Sequence, residues 1–281
     1  MKLKLLTFHS LRGGVGRTRF ALGAARNAAN FGEPAYFIEM GFEDTSIVES
    51  RHPVQAPRWP DGTKITAALY EDVPPVGFTS VPGEVKILMD KRAACKTLKR
   101  EDEHFVPFLN DFFLHPTADW DPDHDVKLDA MLWRYNWGGT EPVHVLPASP
   151  LPRDIEHMAV LICDEWHGAF MEARFEVLLS LIIAKHADAK QVTVAIDCPR
   201  GMHGISRTIL STGIRLSSNP KLQLAEDGYM PKALQDADVE WACSILYRDP
   251  SDKTGAERWI GVFSEEERKN VKLIDVMEYG L

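Results

Sequence analysis

A glycine run near the start of the chain carries the residue types that hold phosphate. It contains three glycines and is followed at once by Arg17 and Thr18. Glycines let backbone N–H groups close around an anion, because a side chain would keep the backbone away from it. A cation at Arg17 would reach the outer phosphates of a nucleotide, and the Thr18 hydroxyl would hold Mg²⁺. The predicted nucleotide contacts in this run are Gly13, Gly14, Val15, Gly16, Arg17 and Thr18.

A second candidate is a carboxylate at the end of a buried strand. Residues 191–197 form a largely apolar run that ends at Asp197, and Gly201 follows four positions later. In phosphate-loop enzymes a carboxylate placed there orients Mg²⁺ or its waters, opposite the loop hydroxyl. We therefore interpret Thr18 and Asp197 as the metal site, and the Gly201 amide as the group that senses the γ-phosphate. The alternative is that Asp197 only caps a strand.

The elements around the glycine run are those that a phosphate site needs. Residues 4–8 are predicted to form a short buried strand, 20–30 a helix and 35–40 a second strand. A helix between two strands at this spacing predicts parallel pairing with a right-handed crossover. Strand, glycine turn and helix direct N–H groups and the positive end of the helix dipole at an anion. The alternative is a glycine-rich turn that binds nothing.

The rest of the chain is predicted from its apolar periodicity and its breaks. The aromatic segment 105–114 is expected to dock into the core, and the tryptophans of a loop at 133–139 are expected to pack. The acidic run 119–125 is interpreted as a solvated turn, because it lacks the glycine and distal glutamate of a calcium loop. The remaining predictions are strands at 143–149, 239–247 and 258–263, helices at 85–100, 171–185 and 205–216, an irregular surface at 51–83 and a charged helical turn at 264–270.

Composition narrows the class of protein. A chain of 281 residues with 44% hydrophobic and 26% charged residues is typical of a globular protein with a substantial core. No apolar run is long enough for a membrane span, so we predict a cytoplasmic location. The four cysteines lie far apart, which indicates neither a zinc site nor a disulfide framework. The net charge of −9 argues against a surface that is basic all over and binds nucleic acid non-specifically.

The loop departs from G-x-x-x-x-G-K-[ST] because Leu11 replaces the first glycine and Arg17 replaces the lysine. From Arg12 to Thr18 it instead resembles K-G-G-x-G-K-[ST], the deviant Walker A loop of the MinD/ParA family of P-loop ATPases (SIMIBI class). Arg12 and Arg17 stand where that family has lysines. Residues 197–201 resemble the family's D-x-P-x-G, and residues 145–149 resemble the strand end that precedes it.

The resemblance extends over roughly residues 1–215 and implies an α/β P-loop NTPase fold, with a mainly parallel sheet flanked by helices. We expect a single domain of residues 1–281 with a loop-rich insertion at about 51–142. The family implies ATP and Mg²⁺ as cofactors and a homodimer that closes around nucleotide. It also implies a recruited macromolecular partner; we expect a protein, with DNA as an alternative that the net charge does not indicate. The implied catalytic residues are Arg12, reaching across the dimer, Arg17 and Asp197.

One position departs from the family in a way that bears on hydrolysis. The family's second strand ends in D-x-D, whose second aspartate is associated with positioning the attacking water. Here Glu39 stands at the first position and Gly41 at the second, and Glu43 or Asp44 could substitute from the loop. The resemblance therefore implies a switch with slow ATP hydrolysis. The alternatives are a hydrolysis-deficient nucleotide-gated scaffold, or a small-molecule kinase or ligase with its substrate pocket in residues 51–142.

Overall fold

The computed structural model describes eleven stretches of the chain. They are residues 1–42, 47, 54–55, 108–113, 128–135, 139, 141–149, 165–201, 204–218, 232–261 and 263–279. The predicted helix 85–100, the acidic run 119–125 and most of the segment 51–83 lie outside the described residues, as do Glu43 and Asp44.

Strands and helices alternate through the described part of the chain. The strands are β1 (Lys2–Ser10), β2 (Ala35–Glu39), β3 (Val54–Gln55), β4 (Trp133–Tyr135), β5 (Val143–Leu146), β6 (Gln191–Arg200), β7 (Asp238–Tyr247) and β8 (Val271–Asp275). The helices are α1 (Arg17–Asn30), α2 (Leu109–Phe113), α3 (Leu128–Met131), α4 (Glu165–Lys185), α5 (Gly204–Ser217), α6 (Lys232–Gln235), α7 (Pro250–Ile260) and α8 (Glu265–Arg268), followed by a 3₁₀ turn at Val276–Tyr279.

The described strands form one sheet in the order β3-β4-β5-β2-β6-β1-β7-β8. All neighbouring pairs from β5 to β8 are parallel, and the short strands β3 and β4 add an antiparallel edge. β1 lies in the interior of the sheet, between β6 and β7. The predicted α/β fold with a mainly parallel sheet and flanking helices is confirmed.

The sheet is covered on both faces, which explains why its central strands are nearly continuous apolar runs. On one face Phe8, Phe37 and Ala195 pack with the buried side of α1. On the other, Leu5, Ile38 and Ile196 pack with α4, α5 and α7. A site at the carboxyl ends of β1, β2 and β6 therefore stands on a rigid base.

Two predicted segments have a different structure. Residues 258–263 were predicted as a strand, but α7 continues to Ile260 and its Trp259 packs into the core. The predicted loop at 133–139 contains β4, although Trp133 packs against Phe108 as expected. The aromatic segment docks as predicted, since Phe112 and Phe113 are fully buried. The predicted strands at 143–149 and 239–247 are confirmed, as are the helices at 171–185 and 205–216 and the helical turn at 264–270, with bounds shifted by a few residues.

Four elements of the predicted insertion, β3, α2, α3 and β4, belong to the same core or sheet as the remainder. The single-domain organisation of the whole chain stays a prediction. None of the helices within the described stretches combines the length and the hydropathy that crossing a bilayer requires.

Candidate nucleotide site

The glycine run forms the turn between β1 and α1. Gly14 and Gly16 have φ values of 75° and 77°, in the left-handed region that glycine adopts without strain. Gly16 is the N-cap of α1 and, being glycine, offers no side chain to cap that end of the helix. The first turn of α1 also carries no acidic residue, whereas Asp249 caps α7 and Ser264 caps α8. The N-terminus of α1 thus keeps the positive character that attracts phosphate.

Thr18 and Asp197 meet beneath this turn. The Thr18 hydroxyl donates a hydrogen bond to Oδ2 of Asp197, and the carboxylate is buried. The parallel pairing of β1 and β6 sets this geometry, because it places Asp197 beside Phe8, two residues before β1 ends. The structure therefore brings together the two residues that the sequence predicted as a metal site.

Arg17 lies under the loop and not above it. Its Nε atom is 2.6 Å from Oδ1 of Asp197, and its Nη1 donates to the Ser10 hydroxyl at 3.0 Å. The side chain is only 7% exposed. Its predicted contact with the outer phosphates stays a prediction.

Ser10 is a site residue that sequence reasoning missed. Its hydroxyl accepts from Arg17 and donates to the backbone carbonyl of Arg12 at 2.8 Å. One buried hydroxyl thus links the cation under the loop to the tip of the loop. Its place immediately before the glycine run was the only signal in the sequence.

Beyond Asp197 the strand continues, although the buried strand was predicted to end at that residue. β6 runs on to Arg200, after a register shift against β1. Gly201 then has a φ of 74°, and its N–H donates to the Ser10 carbonyl at 2.9 Å. In this structure the Gly201 amide is therefore directed at β1, and its contact with a γ-phosphate stays a prediction that requires this bond to open.

Arg200 is a second residue of the site that the sequence motifs do not indicate. Its side chain covers Gly13, because a Cβ built on Gly13 would lie 3.0 Å from Arg200 Cδ and 3.1 Å from Nη1. Glycine at position 13 permits this close approach. The arrangement adds a third guanidinium near the loop, beside those of Arg12 and Arg17.

Arg12 extends away from the loop and contacts the N-terminal end of α7. Its Nε is 2.8 Å from Oδ1 of Asp252, and its other nitrogens approach Asp249 and the Ser251 hydroxyl. Hydrogen bonds from the Ser251 hydroxyl and the Asp252 amide, together with the charge of Arg12, lower the pKa of Asp249. This carboxylate stays ionised to a lower pH than an ordinary aspartate.

Glu39 and Gly41 lie near Asp197, at the carboxyl end of β2. Glu39 pairs with Asp197 in the register of β2 and β6. Its buried carboxylate accepts N–H bonds from Ile47 at 2.8 Å and Ala148 at 2.9 Å. This side chain joins the loop after β2 to the end of β5, and Gly41 is buried with no side chain to offer.

On the face of β1 that is opposite α1, a buried histidine contacts a buried cysteine. His9 Nε2 lies 3.4 Å from Cys198 Sγ, and the imidazole packs edge-on against Trp259. Burial, and then the charge of Arg17, lower the pKa of His9 to about 3. Burial also raises the pKa of Cys198 well above its usual range. Both groups are therefore neutral at physiological pH and act as packing residues.

A cleft of about 410 Å³ opens beside the first turns of α1. Its walls include Phe8, Phe20, Gly23 and Tyr279, with Arg19 at the side. The rings of Phe20 and Tyr279 meet edge to face at 5.2 Å, and Tyr279 is 62% exposed. The cleft is thus mainly apolar and lies beside the first turns of the helix that follows the glycine run.

The donor set at Thr18 and Asp197 fits Mg²⁺. Mg²⁺ prefers oxygen ligands and is held in nucleotide sites by one or two protein groups together with phosphates and waters. A hydroxyl and a carboxylate in contact supply this chemistry. No group of three His, Cys, Asp or Glu side chains suited to a metal occurs within the described stretches, so a site held by protein ligands alone is not indicated there.

Comparisons with known proteins give likeness in structure only. No protein-family model matches the chain, and no curated protein matches it. Similar solved structures include a Corynebacterium diphtheriae protein (13% identity, TM-score 0.45), Cyanothece McdA in complex with ATP (12%, 0.39) and a plasmid partition protein from Borrelia burgdorferi (11%, 0.34). They cover 92%, 97% and 100% of this chain, which spans 64%, 82% and 96% of theirs.

The chain resembles MinD/ParA ATPases in its motifs, and the elements that those motifs require are present in the fold.

Proposed function

We propose that this chain is an ATP- and Mg²⁺-dependent dimerising switch of the MinD/ParA type, which hydrolyses ATP slowly and recruits a macromolecular partner. The contact between the Thr18 hydroxyl and the Asp197 carboxylate carries the proposal. It joins a loop hydroxyl to a strand carboxylate beneath a glycine turn, at the uncapped end of α1. Bound Mg²⁺ would neutralise charge on the phosphates, with Thr18 and Asp197 as its protein groups.

The mouth of the loop is suited to a polyanion. Arg12 and Arg200 flank the glycine turn, and Arg17 lies beneath it. Guanidinium groups bind phosphate oxygens with paired N–H donors. An arginine supplied across a dimer to a γ-phosphate can be worth about 10³–10⁵ in rate, so Arg12 in place of lysine does not exclude catalysis.

The cleft beside α1 accommodates the rest of the nucleotide in this proposal. It lies on the α1 face of the sheet, next to the carboxyl end of β1, where ligands of parallel α/β sheets bind. The rings of Phe20 and Tyr279 offer apolar surface to a purine base. The base and the phosphates then lie on the two sides of the first turn of α1.

A hydrolysis-deficient, nucleotide-gated scaffold is the second candidate. The environment of Glu39 favours it, because that carboxylate already accepts two backbone N–H groups and Gly41 has no side chain. Such a protein would bind ATP and dimerise, but would not turn ATP over. The two candidates share the binding site and differ in the rate of hydrolysis.

Calorimetry of ATP binding with and without Mg²⁺ tests the binding site. Thr18→Ala should abolish the Mg²⁺-dependent part of the affinity, because it removes the loop hydroxyl. Thr254→Ala is the matched control, since that exposed hydroxyl bonds the Pro250 carbonyl within α7. Equal Mg²⁺-dependent binding by Thr18→Ala and the parent would overturn the assignment.

Light scattering with a non-hydrolysable ATP analogue tests the dimer. The parent should double in mass, and Arg12→Ala should need more analogue to reach the same mass. An analogue-loaded parent that stays monomeric at high protein concentration would refute the dimer. A pull-down in the presence of ATP, compared with one in ADP, then tests recruitment. We expect the partner to be retained only with ATP. The cytoplasmic location is part of the same proposal.

A further inference from the structure

Arg12 makes contacts to α7 with all three of its guanidinium nitrogens. Nε lies 2.8 Å from Oδ1 of Asp252, Nη1 lies 3.4 Å from Oδ2 of Asp249, and Nη2 lies 3.2 Å from the Ser251 hydroxyl. The side chain is nevertheless 61% exposed. A phosphate oxygen from a second subunit could approach it from solvent, but would have to displace contacts that are already made.

Leu11, the residue before Arg12, contacts the same helix. A Cβ built on Gly255 would lie 2.4 Å from Leu11 Cδ1, so glycine at that position leaves room for the Leu11 side chain against α7. The tip of the phosphate loop is thus held to α7 by an apolar contact and by an ionic one. The two contacts come from adjacent residues of the loop.

The two carboxylates, and not the helix end itself, hold Arg12. A cation at a helix N-terminus is disfavoured by the helix dipole. Asp249 caps α7 by accepting the Ser251 and Asp252 amides, so the Asp252 carboxylate is not needed as a cap. Asp252 is buried and its carboxylate contacts Arg12. If Arg12 left, the buried Asp252 carboxylate would lose this cation. The free-energy cost of that loss opposes the release of Arg12.

We propose that Asp249 and Asp252 are positioning residues that hold Arg12 on its own subunit and thereby restrain nucleotide-driven dimerisation. We call this contact of Arg12 with Asp249 and Asp252 the latch. This inference rests on the proposed function, since it concerns the same arginine. The phosphates of a partner's nucleotide compete with the two carboxylates for one guanidinium. Dimerisation therefore requires either enough bound nucleotide to displace the two carboxylates from Arg12 or a partner that moves α7.

The test is the analogue concentration that gives half-maximal dimer by light scattering. Asp252→Asn keeps the size of the side chain and removes its charge, so it should lower that concentration by about two- to fivefold, as expected for a partly exposed ion pair. Asp249→Asn should act in the same direction and keeps a good helix cap. Glu257→Gln on α7 is the matched control, because Glu257 approaches only Lys253 among the ion pairs of the described residues.

A double-mutant cycle separates positioning from a structural role. In an Arg12→Ala background, Asp252→Asn should no longer change the concentration for half-maximal dimer, because there is no guanidinium to release. Without nucleotide, exchange of the Arg12 Nε proton, measured by NMR, should be slow in the parent and Glu257→Gln, and fast in Asp252→Asn.

The possible failures are distinct. If the parent dimerises and both aspartate variants need the same or more analogue, the latch is wrong and the proposed function stands. An effect of Asp252→Asn that persists in the Arg12→Ala background would also overturn the latch. If neither the parent nor the variants dimerise, the proposed dimer fails and the latch fails with it.

Discussion

Arg17 Nε lies 2.6 Å from Asp197 Oδ1, and this ion pair joins the first helix to a strand that follows it far along the chain. Both side chains are buried. Removing one partner of a buried pair leaves a charge in a low-dielectric site, which costs more than the pair contributes when intact. The residue that the motif assigns to phosphate therefore also supports the fold.

Arg17→Ala should lower the free energy of unfolding by about 3–5 kcal/mol in the absence of nucleotide, because it strands the Asp197 carboxylate. Urea unfolding measures this. Arg17→Lys keeps the charge and should cost less. Arg19→Ala is the control on the same helix, since Arg19 is exposed and should change stability by no more than about 0.5 kcal/mol. Equal stability of Arg17→Ala and Arg19→Ala would contradict a stabilising pair.

Stability should fall as the pH drops below 6.5, partly because of His9. Burial, with a smaller effect of Arg17, lowers the His9 pKa to about 3 in the folded protein, against about 6.5 when unfolded. Between these values only the unfolded state binds the proton, so acid favours unfolding. From pH 7 to pH 5 the parent should lose about 2 kcal/mol more than His9→Gln. If the free energies of unfolding of the parent and of His9→Gln, measured in urea, changed in parallel with pH, folding would not lower the pKa of His9.

Two helical glycines should respond to alanine in opposite directions. A Cβ at Gly213 in α5 would lie 2.5 Å from Trp241 Nε1, so Gly213→Ala should destabilise the fold by about 1–3 kcal/mol. A Cβ at Gly23 in α1 would meet nothing within 4 Å, so Gly23→Ala should stabilise by up to about 1 kcal/mol. Thermal unfolding of both variants checks this. A stabilising Gly213→Ala would contradict the close packing of α5 on β7.

ATP hydrolysis should be slow in single-turnover experiments, because Gly41 offers no group to hold the attacking water in line. Gly41→Asp should accelerate it, while Glu43→Ala and Asp44→Ala should leave it unchanged. Urea unfolding of Gly41→Asp must accompany the assay, since position 41 is buried. A brisk parent rate that Glu43→Ala or Asp44→Ala abolishes would show a relocated carboxylate and end the slow-switch interpretation.

Local signals in the sequence are sufficient to predict the elements around the glycine turn. β1, α1, β2 and β6 are long apolar or periodic runs with glycine breaks between them, so pattern and propensity agree. β4 was missed because three residues with one exposed arginine give almost no period. The segment 258–263 was mistaken for a strand on its apolar residues. The better signal lay upstream, where Asp249 and Pro250 form an N-cap and a first helical position.

The contacts of the site were harder to predict than its residues. Thr18 and Asp197 could be named, since each belongs to a motif. The partners of Arg12 on α7 could not, because nothing local in the sequence links positions that lie 237 residues apart. The inward direction of Arg17 depends likewise on Ser10 and Asp197 meeting under the loop.

The interior position of β1 has a consequence for synthesis on the ribosome. β1 emerges before both of its neighbours, β6 and β7, which are encoded far downstream. At about 5–20 residues per second, β1 waits roughly ten to forty seconds for β6. During that time its apolar side chains and both of its hydrogen-bonding edges lack their native partners, which invites association with other chains. The nascent chain should therefore depend on holding chaperones until β6 and β7 have left the exit tunnel.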